Sequence, residues 1–128
     1  MLADFAPIPT VAVSDLPRAQ AFYEGVLGFA SKGDVPDGVR YSAGGGSFLV
    51  YPSSFAGTNK ATYMSFDVPA ADFDGLVADL RGKGVEFQTI DLPEGNWDNG
   101  VADFGEGGRA VWFADPDGNV LNIDAMNG

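Results

Sequence analysis

The stretch FADPDGNVLNI, residues 113–123, predicts two β-strands joined by a tight turn. Apolar and polar residues alternate along it, and Gly118 supplies the positive φ that a tight turn requires. Asp115 and Asp117 resemble the first ligands of an EF-hand calcium loop. However, Gly118 comes too early for that loop, and its twelfth position holds Met126 where a calcium loop has Glu. We therefore interpret the two aspartates as turn residues.

Outward from this hairpin, both halves of the chain show the order strand–helix–strand–strand–strand. In the first half, apolar patterning and turn residues predict these elements at 8–13, 14–28, 29–35, 39–44 and 46–52. In the second half, they are predicted at 62–68, 69–84, 85–90, 109–118 and 119–126, with a glycine-rich loop over 91–108. No linker separates the halves. We therefore predict one α+β domain over residues 1–128, built from two tandem βαβββ modules at about 7–54 and 61–126.

The two predicted helices each carry one apolar face. In the first helix, Ser14 or Asp15 can cap the N-terminus, and Gly28 marks the end. In the second helix, the apolar face consists of Phe73, Leu76, Val77 and Leu80. Each face is expected to pack against the sheet of its own module.

Composition excludes several kinds of site. The chain has 128 residues, of which 45% are hydrophobic, and this suits a folded domain with its own core. It contains no cysteine and no histidine, so disulfides, thiol nucleophiles and the commonest general base are absent. Any metal would have to be a hard ion such as calcium or magnesium, held by oxygen ligands.

The net charge of −11 bears on the partners of the protein. It makes nucleic acid and anionic membranes poor partners, whereas the electrostatic field favours a cationic ligand. The alternative is that the charge only keeps the surface soluble. The sequence shows neither a signal-peptide pattern nor an apolar segment of transmembrane length, and we expect a cytoplasmic protein.

Alternation along the predicted strands separates core side chains from those of a second, more polar face. In the last strand, Leu121 and Ile123 suit the helix-covered side, so Asn122 and Asp124 face the opposite, concave side. The same argument for the other strands predicts this set of ligand-binding residues on the concave side: Thr10, Tyr63, Ser65, Asp67, Trp112, Asn122 and Asp124. Aromatic walls with a few orienting polar groups are typical of a small-molecule site.

The predicted loop over 91–108 is longer than most connections in compact domains. It contains Trp97 and Phe104 among glycines and acidic residues. One hypothesis is that both rings close over a ligand as a lid and complete the binding site. The other is that they pack at the edge of the core and hold the loop in place.

Three segments resemble one known family when they are taken in order. VSDLPRAQAFYEGVLGF (13–29), ADLRGKGVEF (78–87) and FADPDGNVLNI (113–123) resemble signatures of the vicinal oxygen chelate superfamily. This superfamily includes glyoxalase I, extradiol dioxygenases and the bleomycin resistance proteins. The resemblance covers about residues 7–126. It implies a cupped mixed sheet around a ligand cavity, with the helices on the outer face.

In metal-dependent members of this superfamily, the first and last strands of each module supply the metal ligands, usually His, Glu or Gln. The resemblance places these positions here at Ile8, Val50, Tyr63 and Asn122. Ile and Val have no donor atom, a Tyr phenol stays protonated at neutral pH, and Asn offers one neutral carbonyl. The departure from the ligand pattern therefore implies no metal and no cofactor, as in the metal-free branch that resembles the bleomycin resistance proteins.

The resemblance to that branch implies a homodimer that binds and sequesters an antibiotic or another small molecule. We expect an aromatic ligand, and the net charge favours a cationic one. Whether the protein is an enzyme stays open, because a metal-independent isomerase, epimerase or lyase could use Asp67, Asp124 or Tyr63 as acid or base. A third hypothesis is a metal site made of Asp67, Asn122 and Asp124.

Overall fold

The computed structural model describes residues 1–35, 38–89 and 96–125 of the chain. The chain divides into two compact units: the first comprises 1–60 with 116–119, and the second comprises 61–115 with the residues from 120 onward. Each unit contains one mixed sheet with few helices, which confirms the predicted α+β class. No helix in the described part of the chain is long and apolar enough to cross a membrane.

The first unit follows the predicted order strand–helix–strand–strand–strand. Its elements are β1 (Thr10–Val13), α1 (Leu16–Gln20), β2 (Ala30–Val35), β3 (Gly38–Ala43) and β4 (Gly46–Pro52). The strands lie in the order β1-β4-β3-β2, in which β1 is parallel to β4 and the other pairs are antiparallel. The parallel pair needs a crossover connection, and α1 lies within that connection.

Helix α1 begins where the sequence predicts a cap. The Asp15 side chain accepts a hydrogen bond from the backbone amide of Arg18 at 3.1 Å, which satisfies one of the free N–H groups of the first turn. The helical segment continues as a π-helix over Ala21–Val26. It ends before Gly28, whose φ of 81° suits a residue without a Cβ.

The core of the first unit is an aromatic cluster between this helical segment and the sheet. The ring centroid of Tyr23 lies 6.0 Å from that of Tyr41 and 5.8 Å from that of Phe48. All three side chains are buried, together with Val11 and Val13 of β1.

The second unit has five strands and one long helix. Its elements are β5 (Thr62–Asp67), α2 (Ala70–Gly82), β6 (Asn96–Asp98), β7 (Val101–Asp103), β8 (Arg109–Ala114) and β9 (Val120–Ala125). The strands lie in the order β5-β9-β8-β7-β6, with β5 parallel to β9 and the others antiparallel. Helix α2 buries Phe73, Val77 and Leu80, but Leu76 is 38% exposed. The prediction for Leu76 was wrong because it lies at the edge of the apolar face, about 60° from Phe73 at 100° per residue.

Two predictions between α2 and β8 were also wrong. Residues 85–89 form no strand, although the Gln88 amide donates to the carbonyl of Trp112 at 2.7 Å. The predicted loop contains the hairpin β6–β7, whose two-residue turn, Asn99 and Gly100, has φ values of 52° and 80°. Positive φ at both positions is the type I′ pattern that Asn-Gly favours, so this dipeptide was an unused signal in the sequence. The remaining residues of these two predictions, 90–95, lie outside the described residues.

Candidate functional site

One face of the second-unit sheet combines aromatic and polar side chains. Across the strands, Ser65 is in register with Asn122, which is in register with Trp112. In the next row, Asp67 is in register with Asp124. Because side chains alternate along a strand and register partners point the same way, all five side chains lie on one face.

The tryptophan of the β6–β7 hairpin extends this face. Trp97 is in register with Ala102, and Ala102 with Ala110, which continues the row of Asp124. The ring centroids of Trp97 and Trp112 lie 5.9 Å apart with planes inclined by 44°. This separation is typical of a favourable aromatic pair. We call the surface formed by Ser65, Asp67, Trp97, Trp112, Asn122 and Asp124 the tryptophan face.

At the centre of the tryptophan face, Asn122 is only 3% exposed. Its side-chain nitrogen donates to the backbone carbonyl of Val111 and to a carboxylate oxygen of Asp124, both at 3.1 Å. The amide is thereby bonded to the backbone of β8 and to the carboxylate two residues further along β9. A buried polar group with satisfied bonds has a well-defined position.

The charge on the tryptophan face is negative. Among the five strands described for the second unit, the only Lys or Arg is Arg109. Arg109 is in register with Ala125, so it lies on the opposite face. There its guanidinium pairs with Asp74 at 2.7 Å and stacks 4.6 Å from the centroid of the Phe73 ring. Arg109 therefore makes a surface ion pair on the face opposite the tryptophan face.

Strand register does not assign the other three predicted site residues to the tryptophan face. Tyr63 is half-buried in β5, where the register with β9 shifts between Thr62 and Met64. Phe104 is half-buried and follows β7, and its amide donates to the carbonyl of Gly108 at 2.8 Å across a short 3-10 turn. Thr10 is exposed at the start of β1, in the first unit. The structure therefore brings together six of the nine predicted residues on one face, and their role in binding stays a prediction.

The DPDG turn holds side chains whose importance the sequence did not reveal. One carboxylate oxygen of Asp117 accepts hydrogen bonds from the Ser14 amide at 3.1 Å, the Ser14 hydroxyl at 2.6 Å and the Arg18 guanidinium at 3.2 Å. The Asn119 side chain, fully buried, donates to the carbonyl of Ala12 at 2.8 Å. Asp117 and Asn119 therefore connect the turn to the junction between β1 and α1.

A family model places the chain among known proteins. The model of the glyoxalase/bleomycin resistance protein/dioxygenase superfamily matches residues 6–123. The chain belongs to this superfamily. The resemblance predicted from the sequence is thus confirmed at the level of the superfamily. No protein with curated function matches the chain in sequence.

Solved structures of the same superfamily fold resemble the chain closely in architecture. The fosfomycin resistance protein FosX from Listeria monocytogenes, solved with Mn(II) and sulfate, is 16% identical, with a TM-score of 0.71 over 96% of this chain and 90% of that one. FosX from Mesorhizobium loti is 16% identical, with a TM-score of 0.67 over 97% and 93%. An integron cassette protein from the mobile metagenome of a Halifax Harbour sewage outfall is 22% identical, with a TM-score of 0.66 over 95% and 100%. At these identities the likeness establishes the fold.

Two of the four positions at which the superfamily resemblance expects metal ligands have side chains that cannot bind a divalent ion. Ile8 precedes β1 and Val50 is a fully buried residue of β4, and neither side chain has a donor atom. The amide nitrogen of Asn122 donates to Asp124, so the amide oxygen is the one neutral donor that this side chain offers a cation. Among residues 1–35, 38–89 and 96–125, no three acidic side chains are grouped so that they could hold a metal ion.

Proposed function

We propose that this protein binds a small molecule on its tryptophan face without the help of a metal ion. The observation that carries the proposal is the pair Trp97 and Trp112, 5.9 Å apart, beside the hydrogen-bonded Asn122 and Asp124. Flat aromatic surface provides most of the contact area in such sites, and a few placed polar groups orient the ligand. Sequestration of an antibiotic would be one use of this binding.

The composition of the tryptophan face supports an aromatic ligand. The two indole rings lie next to each other, so an aromatic ring of the ligand can contact one or both of them. The amide nitrogen of Asn122 is already bonded within the protein, and one of its two bonds fixes the orientation of Asp124. The Asp124 carboxylate is therefore the adjacent polar group that a ligand can meet. This arrangement favours a ligand that stacks by one part and presents a polar part to the carboxylate.

Two of the solved FosX structures contain an anion together with Mn(II). One was solved with Mn(II) and sulfate, and a variant of that protein with Mn(II) and a dihydroxypropylphosphonic acid. Sulfate and phosphonate are anions. The tryptophan face carries the acidic residues Asp67 and Asp124, and Arg109 lies on the opposite face of the sheet. This contrast supports a ligand class other than that of the metal-dependent relatives.

Intrinsic fluorescence offers a direct test, because Trp97 and Trp112 are the only tryptophans in the chain. We expect protein treated with a chelator to show quenching or a spectral shift when it is titrated with planar aromatic compounds, including bleomycin. In Trp112→Leu, the remaining Trp97 should report binding weakened about tenfold, since an aromatic contact contributes on the order of 1 kcal/mol. The matched control is Phe55→Leu, which changes an aromatic residue that is 75% exposed in the first unit.

Three results of this test would count against the proposal. An absence of both fluorescence change and thermal shift across the panel would exclude binding of aromatic compounds on the tryptophan face. Binding that appears only after a divalent metal is added would exclude the metal-independent part of the proposal. Equal weakening in Trp112→Leu and Phe55→Leu would place the ligand elsewhere.

A further inference from the structure

The side-chain amide of Asn122 has both of its hydrogens in use. An Asn amide nitrogen carries two hydrogens, and here one points to the carbonyl of Val111 and the other to Asp124. Both partners are acceptors, so a flipped amide would place oxygen against oxygen, and only one orientation of Asn122 satisfies the contacts. Because Val111 belongs to the backbone of β8, the second hydrogen has a fixed direction.

This fixed hydrogen determines where the Asp124 carboxylate lies. Asp124 is half-buried, and without the bond its side chain could adopt other rotamers. The bond at 3.1 Å holds one carboxylate oxygen beside Asn122, which is itself the register partner of Trp112. The carboxylate is therefore held next to the indole pair, where a ligand that stacks on the rings would meet it.

The surroundings determine which charge this arrangement favours. The register partner of Asp124 on β5 is Asp67, and like charges on neighbouring strands repel each other. Arg109, the single basic residue of the five described strands, lies on the other face and pairs with Asp74. A cationic group on the tryptophan face would relieve the repulsion, and it would also be attracted by the indole rings.

We propose that Asn122 is a positioning residue that holds Asp124 beside Trp112, so that the tryptophan face selects ligands with a cationic group. The inference rests on the proposed function and specifies the ligand class of the same site. It also assigns a different task to a position where metal-dependent relatives are expected to place a ligand. Asn122 acts through Asp124 and need not touch the bound molecule.

Three probes with the same phenyl ring separate charge from stacking. Benzyltrimethylammonium is a cation, benzyl alcohol is neutral and benzoate is an anion. Titrations followed by tryptophan fluorescence at low ionic strength should give the tightest binding for the cation and the weakest for the anion. We expect a dissociation constant for the cation at least about tenfold below that for the alcohol, since a cation over an indole next to a carboxylate gains on the order of 1 kcal/mol or more.

The variants test whether Asn122 works through Asp124. Asp124→Asn should reduce the cation-to-alcohol ratio to about threefold or less, and Asn122→Leu should do the same while leaving benzyl alcohol binding within about twofold. In the double variant, Asn122→Leu should add nothing to the loss from Asp124→Asn, because the two act as one unit. Asp98→Asn is the matched control: it removes the same charge from an exposed residue next to Trp97 on β6, on the opposite face by strand alternation.

The outcomes separate the proposed binding on the tryptophan face from the proposed positioning role of Asn122. If all three probes bind equally, the tryptophan face binds small molecules but Asn122 and Asp124 do not select a cation. If no probe changes the fluorescence, the proposed function fails together with the inference. If Asn122→Leu does not fold, Asp124→Asn still decides whether the carboxylate gives the charge selectivity. If Asn122→Leu weakens all probes by the same factor, its role is structural only, and the positioning role is excluded.

Discussion

Removal of the Asp117 side chain should destabilise the protein, because this one carboxylate joins the DPDG turn to the β1–α1 junction. The carboxylate is 6% exposed and accepts two hydrogen bonds from Ser14 and one from Arg18. We predict that Asp117→Ala unfolds at a clearly lower urea concentration than the wild-type protein. The loss reflects three donors that lose a charged acceptor at once.

The magnitude follows from the surroundings of each bond. A hydrogen bond to a charged group contributes about 1.5 kcal/mol or more, but Ser14 is exposed, so water can replace part of each lost bond. The Arg18 side chain is 49% exposed, and solvent screening limits its ion pair with Asp117 to about 0.5 kcal/mol. Together we expect a loss of about 2.5 kcal/mol, or a decrease in Tm of roughly 10 °C for a domain of this size.

Urea unfolding followed by far-UV circular dichroism would measure this loss, with two variants for comparison. Ser14→Ala should cost less, about 1 kcal/mol, because it removes the two exposed bonds of the hydroxyl, to Asp117 and from Arg18, but keeps the amide bond and the ion pair of Asp117. In the double variant, Ser14→Ala should add little to Asp117→Ala, since both remove the same contact. A loss below about 1 kcal/mol for Asp117→Ala, or strict additivity of the two changes, would refute this account of the turn.

Two further substitutions test the core of the first unit. Gly38→Ala should cost at least about 2 kcal/mol, because a Cβ there would lie 2.2 Å from the carbonyl oxygen of Val50. Gly45→Ala is the control and should change the urea midpoint little, since a Cβ at that position would have no atom within 4 Å. Equal effects at the two glycines would contradict the close approach of β3 and β4. Tyr41→Phe removes a hydroxyl that donates to Glu24 at 2.8 Å and should cost about 1 kcal/mol in the same assay. A smaller loss in Glu24→Gln, which keeps an acceptor, is the expected control result.

Local patterns in the sequence were sufficient for most of the fold. Apolar spacing and an Asp cap predicted α1, and alternation predicted β8 and β9 around Gly118, whose φ is 85°. The region after α2 was predicted poorly. Residues 85–89 have strand-like composition, yet only Gln88 makes a sheet-like bond, to Trp112. Strand formation depends on a partner along the whole edge, and composition does not reveal that partner.

The candidate site was predicted only in part, because its strand-borne residues follow a local pattern, whereas the pairing of strands does not. Alternation placed Trp112, Asn122 and Asp124 on one face, since a period of two is a local property of a strand. The sequence left two roles open for Trp97, because this residue lay in a predicted loop, where no strand register fixes the direction of its side chain. The Asn-Gly turn and the pairing of β6 with β7 bring its ring to Trp112. The signal for this hairpin was in the sequence, but the distance between the two rings was not.

The sequence by itself determined the order of the elements in the first unit, the DPDG turn and the absence of histidine and cysteine ligands. Only the tertiary structure decided which partners the polar side chains have. It directs Asp117 to Ser14 and Arg18, and the Asn122 amide to Asp124. Turns and periodic faces depend on a few neighbouring residues, and their signals are therefore local. Hydrogen-bond partners far apart in the chain depend on strand register and on the packing of whole elements, which no short stretch of sequence contains.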